Sequence, residues 1–196
     1  MQNSKWGITH NDDDKCYVVL FVSRSKDNKD IPYFTERRTS FITQFTQDCP
    51  FLQQKFQNFV NAGQPNELSR MYYSVNARSM SVVRKQIIHY LIDDDTFNLC
   101  AIQAKIAGFA AQKEAAIEKK WMIDFDSKDH ERLSEFCRYL NTKDEYPLVT
   151  DQYETPNGYA LILRHGFDNR DFAEKWSDVA AIKKDDLLCV DWKRKE

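Results

Sequence analysis

None of the five cysteines (Cys16, Cys49, Cys100, Cys137 and Cys189) forms a Cys-x-x-Cys pair. Their scattered, odd-numbered set indicates neither a zinc site nor a disulfide framework. Several lie in apolar surroundings, as in Leu187-Leu188-Cys189-Val190, and read as small buried hydrophobes in a reducing compartment. No apolar run approaches the roughly 18 residues a membrane span needs. Met1-Gln2-Asn3-Ser4-Lys5-Trp6 carries no apolar signal segment, so a cytoplasmic protein without a membrane partner is expected. Neither charge dominates: 28 Lys and Arg stand against 30 Asp and Glu. A dedicated non-specific DNA binder would be basic, so any nucleic-acid contact must come from a local patch. A Gly-x-x-x-x-Gly-Lys phosphate loop, a Ser-His-Asp or Cys-His order, internal repeats and low-complexity linkers are all missing.

What is present is a foldable, aromatic-rich chain. With 196 residues, 42% hydrophobic and 13% aromatic, it can bury a real core as a single domain. Cys16 to Ser23 is a continuous apolar, β-branched run and predicts a buried strand, followed by a polar loop from Arg24 to Ile31. Thr35 to Gln47 and Pro50 to Ala62 predict helices, the second with Phe51, Leu52, Phe56, Phe59 and Val60 on one face. Arg70 to Asn76 predicts a strand, and Met80, Val83, Ile87 and Leu91 recur at helical spacing until Asp93-Asp94-Asp95. Thr96 can cap an alanine-rich helix running to about Lys120. Trp121 to Phe125 predicts a strand, then Ser127 or Lys128 to Leu140 a helix. Leu148 to Tyr153 and Tyr159 to Leu163 form a hairpin around Glu154-Thr155-Pro156-Asn157-Gly158. A short helix, Asp168 to Trp176, and a last strand, Leu187 to Trp192, complete an α+β pattern.

The sharpest chemical feature is Asp124 with Asp126. On a strand, residues i and i+2 share a face, about 7 Å apart at the backbone. Two carboxylates so placed can share a divalent ion, and Mg²⁺ and Mn²⁺ prefer oxygen ligands. Capping of the helix that begins near Ser127 is the competing reading. Asp191 ends an apolar strand in a similar setting and can supply a third carboxylate. Arg78, at a strand-to-helix junction, can hold a phosphate. His165 follows a strand in Arg164-His165-Gly166, as a candidate functional group.

In order and spacing, residues 70 to 192 resemble the archaeo-eukaryotic primase superfamily in its compact plasmid- and phage-type form. The resemblance rests on Val75-Asn76-Ala77-Arg78, then Ile123-Asp124-Phe125-Asp126, then the corner Thr155-Pro156-Asn157-Gly158-Tyr159-Ala160, then Cys189-Val190-Asp191. It implies an N-terminal α/β lobe (1–95) and an RRM-like antiparallel sheet (96–196) carrying the site. It further implies Asp124, Asp126 and Asp191 as catalytic ligands of Mg²⁺ or Mn²⁺. Nucleotides or single-stranded nucleic acid would be substrates in DNA replication, with Arg78, Arg164 and His165 holding the nucleotide. The family's phosphate-contacting histidine falls on Ala160, which Arg164 or His165 would have to replace. A non-catalytic protein binding a nucleotide, nucleic acid or host protein is the alternative that this departure raises.

Overall fold

The computed structural model describes residues 14–93 and 98–196. His10, Asp94-Asp95, the Thr96 cap and the boundary expected at residue 95 lie outside them. Nine strands and five α-helices follow one another among the described residues. They are β1 (Lys15–Ser23), β2 (Arg37–Thr43), α1 (Pro50–Asn61), β3 (Leu68–Ser74), β4 (Arg78–Ser79), α2 (Met80–Asp93) and α3 (Ile102–Ala110). Then come β5 (Trp121–Phe125), α4 (His130–Asn141), β6 (Val149–Glu154), β7 (Tyr159–Leu163), α5 (Phe172–Trp176), β8 (Ala180–Lys183) and β9 (Leu187–Arg194). The fold is α+β with two antiparallel sheets. One has the order β2-β1-β3-β9, with β4 also on β1; the other has the order β6-β7-β5-β8.

The first sheet is covered on both faces, which is why β1 reads as an unbroken apolar run. Val19, Phe21, Met71 and Tyr73 pack with Leu52, Phe56 and Val60 of α1. On the other face Val18 meets Val83 of α2, Ala107 and Ala110 of α3, and Ala115. The second sheet packs Ile123, Phe125, Leu161 and Leu163 on Leu133, Phe136 and Leu140 of α4 and on Phe172 and Trp176 of α5. A fourth cluster, Met122, Ala160, Ile162 and Leu188, joins the sheets. β9 is supplied from far along the chain yet pairs with β3 from Leu68↔Arg194 to Ser74↔Leu187.

Three elements differ from the sequence expectation. Thr35 to Gln47 contains a strand, not a helix: Phe41 and Thr43 alternate inward, and β2 pairs with β1 from Tyr17↔Thr43 to Ser23↔Arg37. That pairing satisfies the backbone of a Thr-, Phe- and Ile-bearing segment better than an isolated turn of helix would. The alanine-rich segment leaves the helix after Ala110, because Ala116 bridges to Arg78 and the Ile117 amide donates to the Ala77 carbonyl at 2.9 Å. Its backbone groups are thus committed to extended pairing. β8 is not legible as a strand in the sequence; its four residues pair with β5, from Met122↔Lys183 to Phe125↔Ala180.

Candidate functional site

Asp124 sits in an inner strand of its sheet, opposite Ala160 of β7 on one side and Ala181 of β8 on the other. Small neighbours on both sides leave the space above its carboxyl group open. Ile123 and Phe125, pointing the other way, are fully buried and anchor the strand on α4. Asp126 comes directly after, its amide bonded to the Val179 carbonyl at 2.8 Å. Neither carboxylate caps α4. That role belongs to Asp129, whose Oδ1 accepts from the amides of Glu131 (2.9 Å) and Arg132 (3.2 Å).

The hairpin corner closes the strand end. The Thr155 amide donates to the Gly158 carbonyl at 2.9 Å, and the Gly158 amide donates back to the Thr155 hydroxyl at 3.2 Å. Gly158 presses on the end of β5: a Cβ there would overlap the Phe125 carbonyl and lie 2.7 Å from the Ser127 nitrogen. Glycine is required here because only a missing side chain lets the two backbones approach so closely.

Asp124 and Asp126 line a cleft of about 180 Å³. One wall consists of these carboxylates with Met122, Ala160 and the corner residues Thr155, Pro156 and Asn157; the other holds Arg24, Lys26, Arg70 and Tyr72, with Leu187 and Cys189 of β9. Asp124 is half-buried, and burial first, then the neighbouring Asp126, pushes its carboxyl group above the ordinary range. Lys183 and Lys26 pull it back down in part, and Asp186 adds to the rise.

The other residues singled out in the sequence lie elsewhere. Asp191 does not join Asp124 and Asp126. Val190 is an extra residue in β9, so that Cys189 stands opposite Tyr72 while Asp191 stands opposite Met71, in the core beneath α1. Such a bulge reverses the facing of the residues beyond it. Asp191 instead meets Lys193 at 3.6 Å, whose ammonium reaches Gln57 of α1 at 3.3 Å. Arg78 is buried and bidentate to Asp185, with both nitrogen–oxygen distances 2.8 Å. Asn76 donates to the same carboxylate at 3.0 Å. The Asn-x-Arg pattern is therefore a clamp tying β3 and β4 to the turn before β9, with Arg78 already occupied.

Arg164 lies past the far end of β7, beyond the Trp121↔Leu163 pair, and its guanidinium bonds the Pro147 carbonyl. His165 pairs with Asp144 at 3.1 Å, on that same side. Neither residue lines the cleft, so neither is placed to take the phosphate-holding part that the resemblance implies for a histidine at position 160. Among the described residues no three His, Cys, Asp or Glu side chains gather to hold a metal ion. A cation at Asp124 and Asp126 would complete its shell from water or substrate oxygens, as Mg²⁺ commonly does.

Sequence reasoning missed Arg24, Lys26 and Arg70. The first two fall in what reads as an ordinary polar loop, and only the folding of that loop against β3, across from Asp124, marks them out. No described helix is long and apolar enough to cross a membrane. In comparisons with known proteins the chain matches no family model, no curated protein and no solved structure.

Proposed function

We propose that the cleft carries out metal-dependent nucleotidyl or phosphodiester chemistry, of the primase-polymerase kind that the order of motifs resembles. The observation that carries this reading is the pairing of opposites in one small cleft. Two carboxylates form one wall, and Arg24, Lys26 and Arg70 face them. Phosphoryl chemistry needs both, because charge on the transferred group must be balanced while the reacting oxygens are held in line.

The donor set fits a hard divalent cation. Both candidates are carboxylates, and Asp124 bears its charge against burial and against Asp126, a cost that a cation relieves. Bound there, Mg²⁺ or Mn²⁺ would act as a Lewis acid toward phosphate oxygens. Asp124 and Asp126 hold and orient the ion. Ala160, at 2% exposure, gives the cleft an apolar floor beside Asp124 and offers no hydrogen bond. The RRM-like reading of the second sheet belongs to this proposal, supported by four antiparallel strands whose opposite face carries α4 and α5.

Titration of the full chain with Mn²⁺ tests the reading. Binding is expected in the wild type and at least tenfold weaker in Asp124→Asn. At 100 times the dissociation constant the ion adds about 2.7 kcal/mol of stability by linkage. An unfolding temperature indifferent to millimolar Mn²⁺ in both chains would remove the metal from the account. One specific observation favours a second reading, a non-catalytic nucleotide-, nucleic-acid- or host-protein-binding protein: Ala160 stands at the motif histidine's place, and neither Arg164 nor His165 reaches the cleft. Nucleotide binding without turnover, in Mn²⁺ and with a single-stranded template, identifies that case.

A further inference from the structure

The wall facing the carboxylates is built more firmly than a surface loop requires. Between β1 and β2 the chain makes a short 3-10 turn, Ser25–Asp27, and then buries Asn28. The Asn28 side chain pairs with β3 as a backbone would. Its Oδ1 accepts from the Leu68 amide at 2.6 Å, and its Nδ2 donates to the Leu68 carbonyl at 3.1 Å and to the Arg24 carbonyl at 2.9 Å. The turn is thereby fastened to the strand that carries Arg70.

Asp27 then joins the two arginines. One oxygen accepts from Arg24 Nε at 2.8 Å, the other from Arg70 Nη2 at 2.7 Å. One carboxylate thus fixes two guanidiniums, and Lys26 beside them has no ion pair to a described residue. Arg70 is 8% exposed, lines the cleft, and keeps its Nε buried without a partner. Burial of a cationic donor in that state has a free-energy cost that an anion in the cleft would offset.

Mutual neutralisation of the two walls is the plainer explanation of their charges. Against it, no ion pair between described residues crosses the cleft, although Lys26 is near enough to act on Asp124 through space. Size narrows the ligand. At about 180 Å³ the cleft is smaller than the roughly 300–1,000 Å³ that enclose a drug-sized molecule, so it takes part of a nucleotide, not the whole. Planar, forked guanidiniums held in place suit phosphate oxygens.

We infer that Arg24, Lys26 and Arg70 seat the polyphosphate end of a nucleotide, with Asp27 as the positioning residue that fixes the two arginines. This deepens the functional reading above and rests on it for the identity of the rest of the ligand. Its test needs no metal: inorganic tripolyphosphate is titrated calorimetrically into the full chain in excess chelator. Binding is expected in the wild type, and about tenfold weaker in Lys26→Gln and in Arg24→Gln, the loss of one charge-assisted bond. Lys26 is exposed, so that variant should fold, which circular dichroism checks. Asp124→Asn should bind tripolyphosphate at least as tightly as the wild type, since a like charge leaves the cleft. Absent binding by the wild type, or affinity unchanged in both variants, overturns the inference. It is also overturned if these variants lose affinity for a single-stranded oligonucleotide without terminal polyphosphate yet keep it for tripolyphosphate; the anion would then be a backbone diester. Failure of the metal reading shows only in the Mn²⁺ titration, so the two can fail separately.

Discussion

At the scale of single residues, the cleft turns on which side chains share a row with Asp124. The Ala160 Cβ does, by direct cross-strand pairing. Ala160→His therefore sets an imidazole beside the carboxylates, where it can donate to a phosphate that alanine cannot hold. We expect it to raise nucleotide affinity, at a stability cost of about 1–3 kcal/mol for overfilling a buried position. Arg164→Ala should leave affinity unchanged, because that guanidinium serves the Pro147 carbonyl at the other end of the strand. Equilibrium binding of a labelled nucleotide to both variants checks this; a loss with Arg164→Ala would point to a different phosphate seat. The carboxylate pair is legible in the sequence because period-two alternation is local information. The place of Asp191 is not, because the extra residue Val190 is visible only once β9 lies against β3. Arg78 escapes for a similar reason, its partner Asp185 being distant in sequence and adjacent in space.

Elements matter through the way their ends meet. The hairpin corner and the end of β5 are in backbone contact at Gly158, so the corner sets where Asp126 stands. Gly158→Ala must push the Phe125 carbonyl and Ser127 aside. A loss of about 2–3 kcal/mol is expected, comparable to other overpacked sites, together with weaker Mn²⁺ binding. Chemical denaturation measures the first and metal titration the second; unchanged values in both would mean the corner yields without disturbing the strand. Glycine and proline announce this corner in the sequence. The turn at Arg24 to Asn28 gives no such signal, since polar residues in a row mark a loop without saying what it is fastened to. β2 reads as a helix because helix and strand compete closely in a short segment, and pairing with β1 decides the outcome.

On the scale of the whole molecule, the two sheets depend on each other through β9. It forms the edge of the first sheet, gives Leu188 to the cluster between the sheets, and puts Leu187 and Cys189 into the cleft. A chain stopped at Asp186 should therefore lose more than an edge. It leaves β3 unpaired on one side and Asp185 at a frayed end, with buried Arg78 then lacking a fixed partner. Broad, non-cooperative thermal unfolding is expected, with binding of a hydrophobic dye, in place of the sharp transition of the full chain. A sharp transition in the shortened chain would show that the remainder folds without β9.

The same strand has a bearing on how the protein comes into being. On the ribosome, β1, β2 and β3 emerge early and can pair at once, but the flank of β3 stays bare until residues 187–194 have been made. Throughout that interval a nascent sheet offers a free, largely apolar edge to any other chain nearby. Yield in a cell should therefore depend on translation speed and on chaperone supply. Only once β9 has been made would Arg70 and Tyr72 stand across a finished cleft from Asp124 and Asp126.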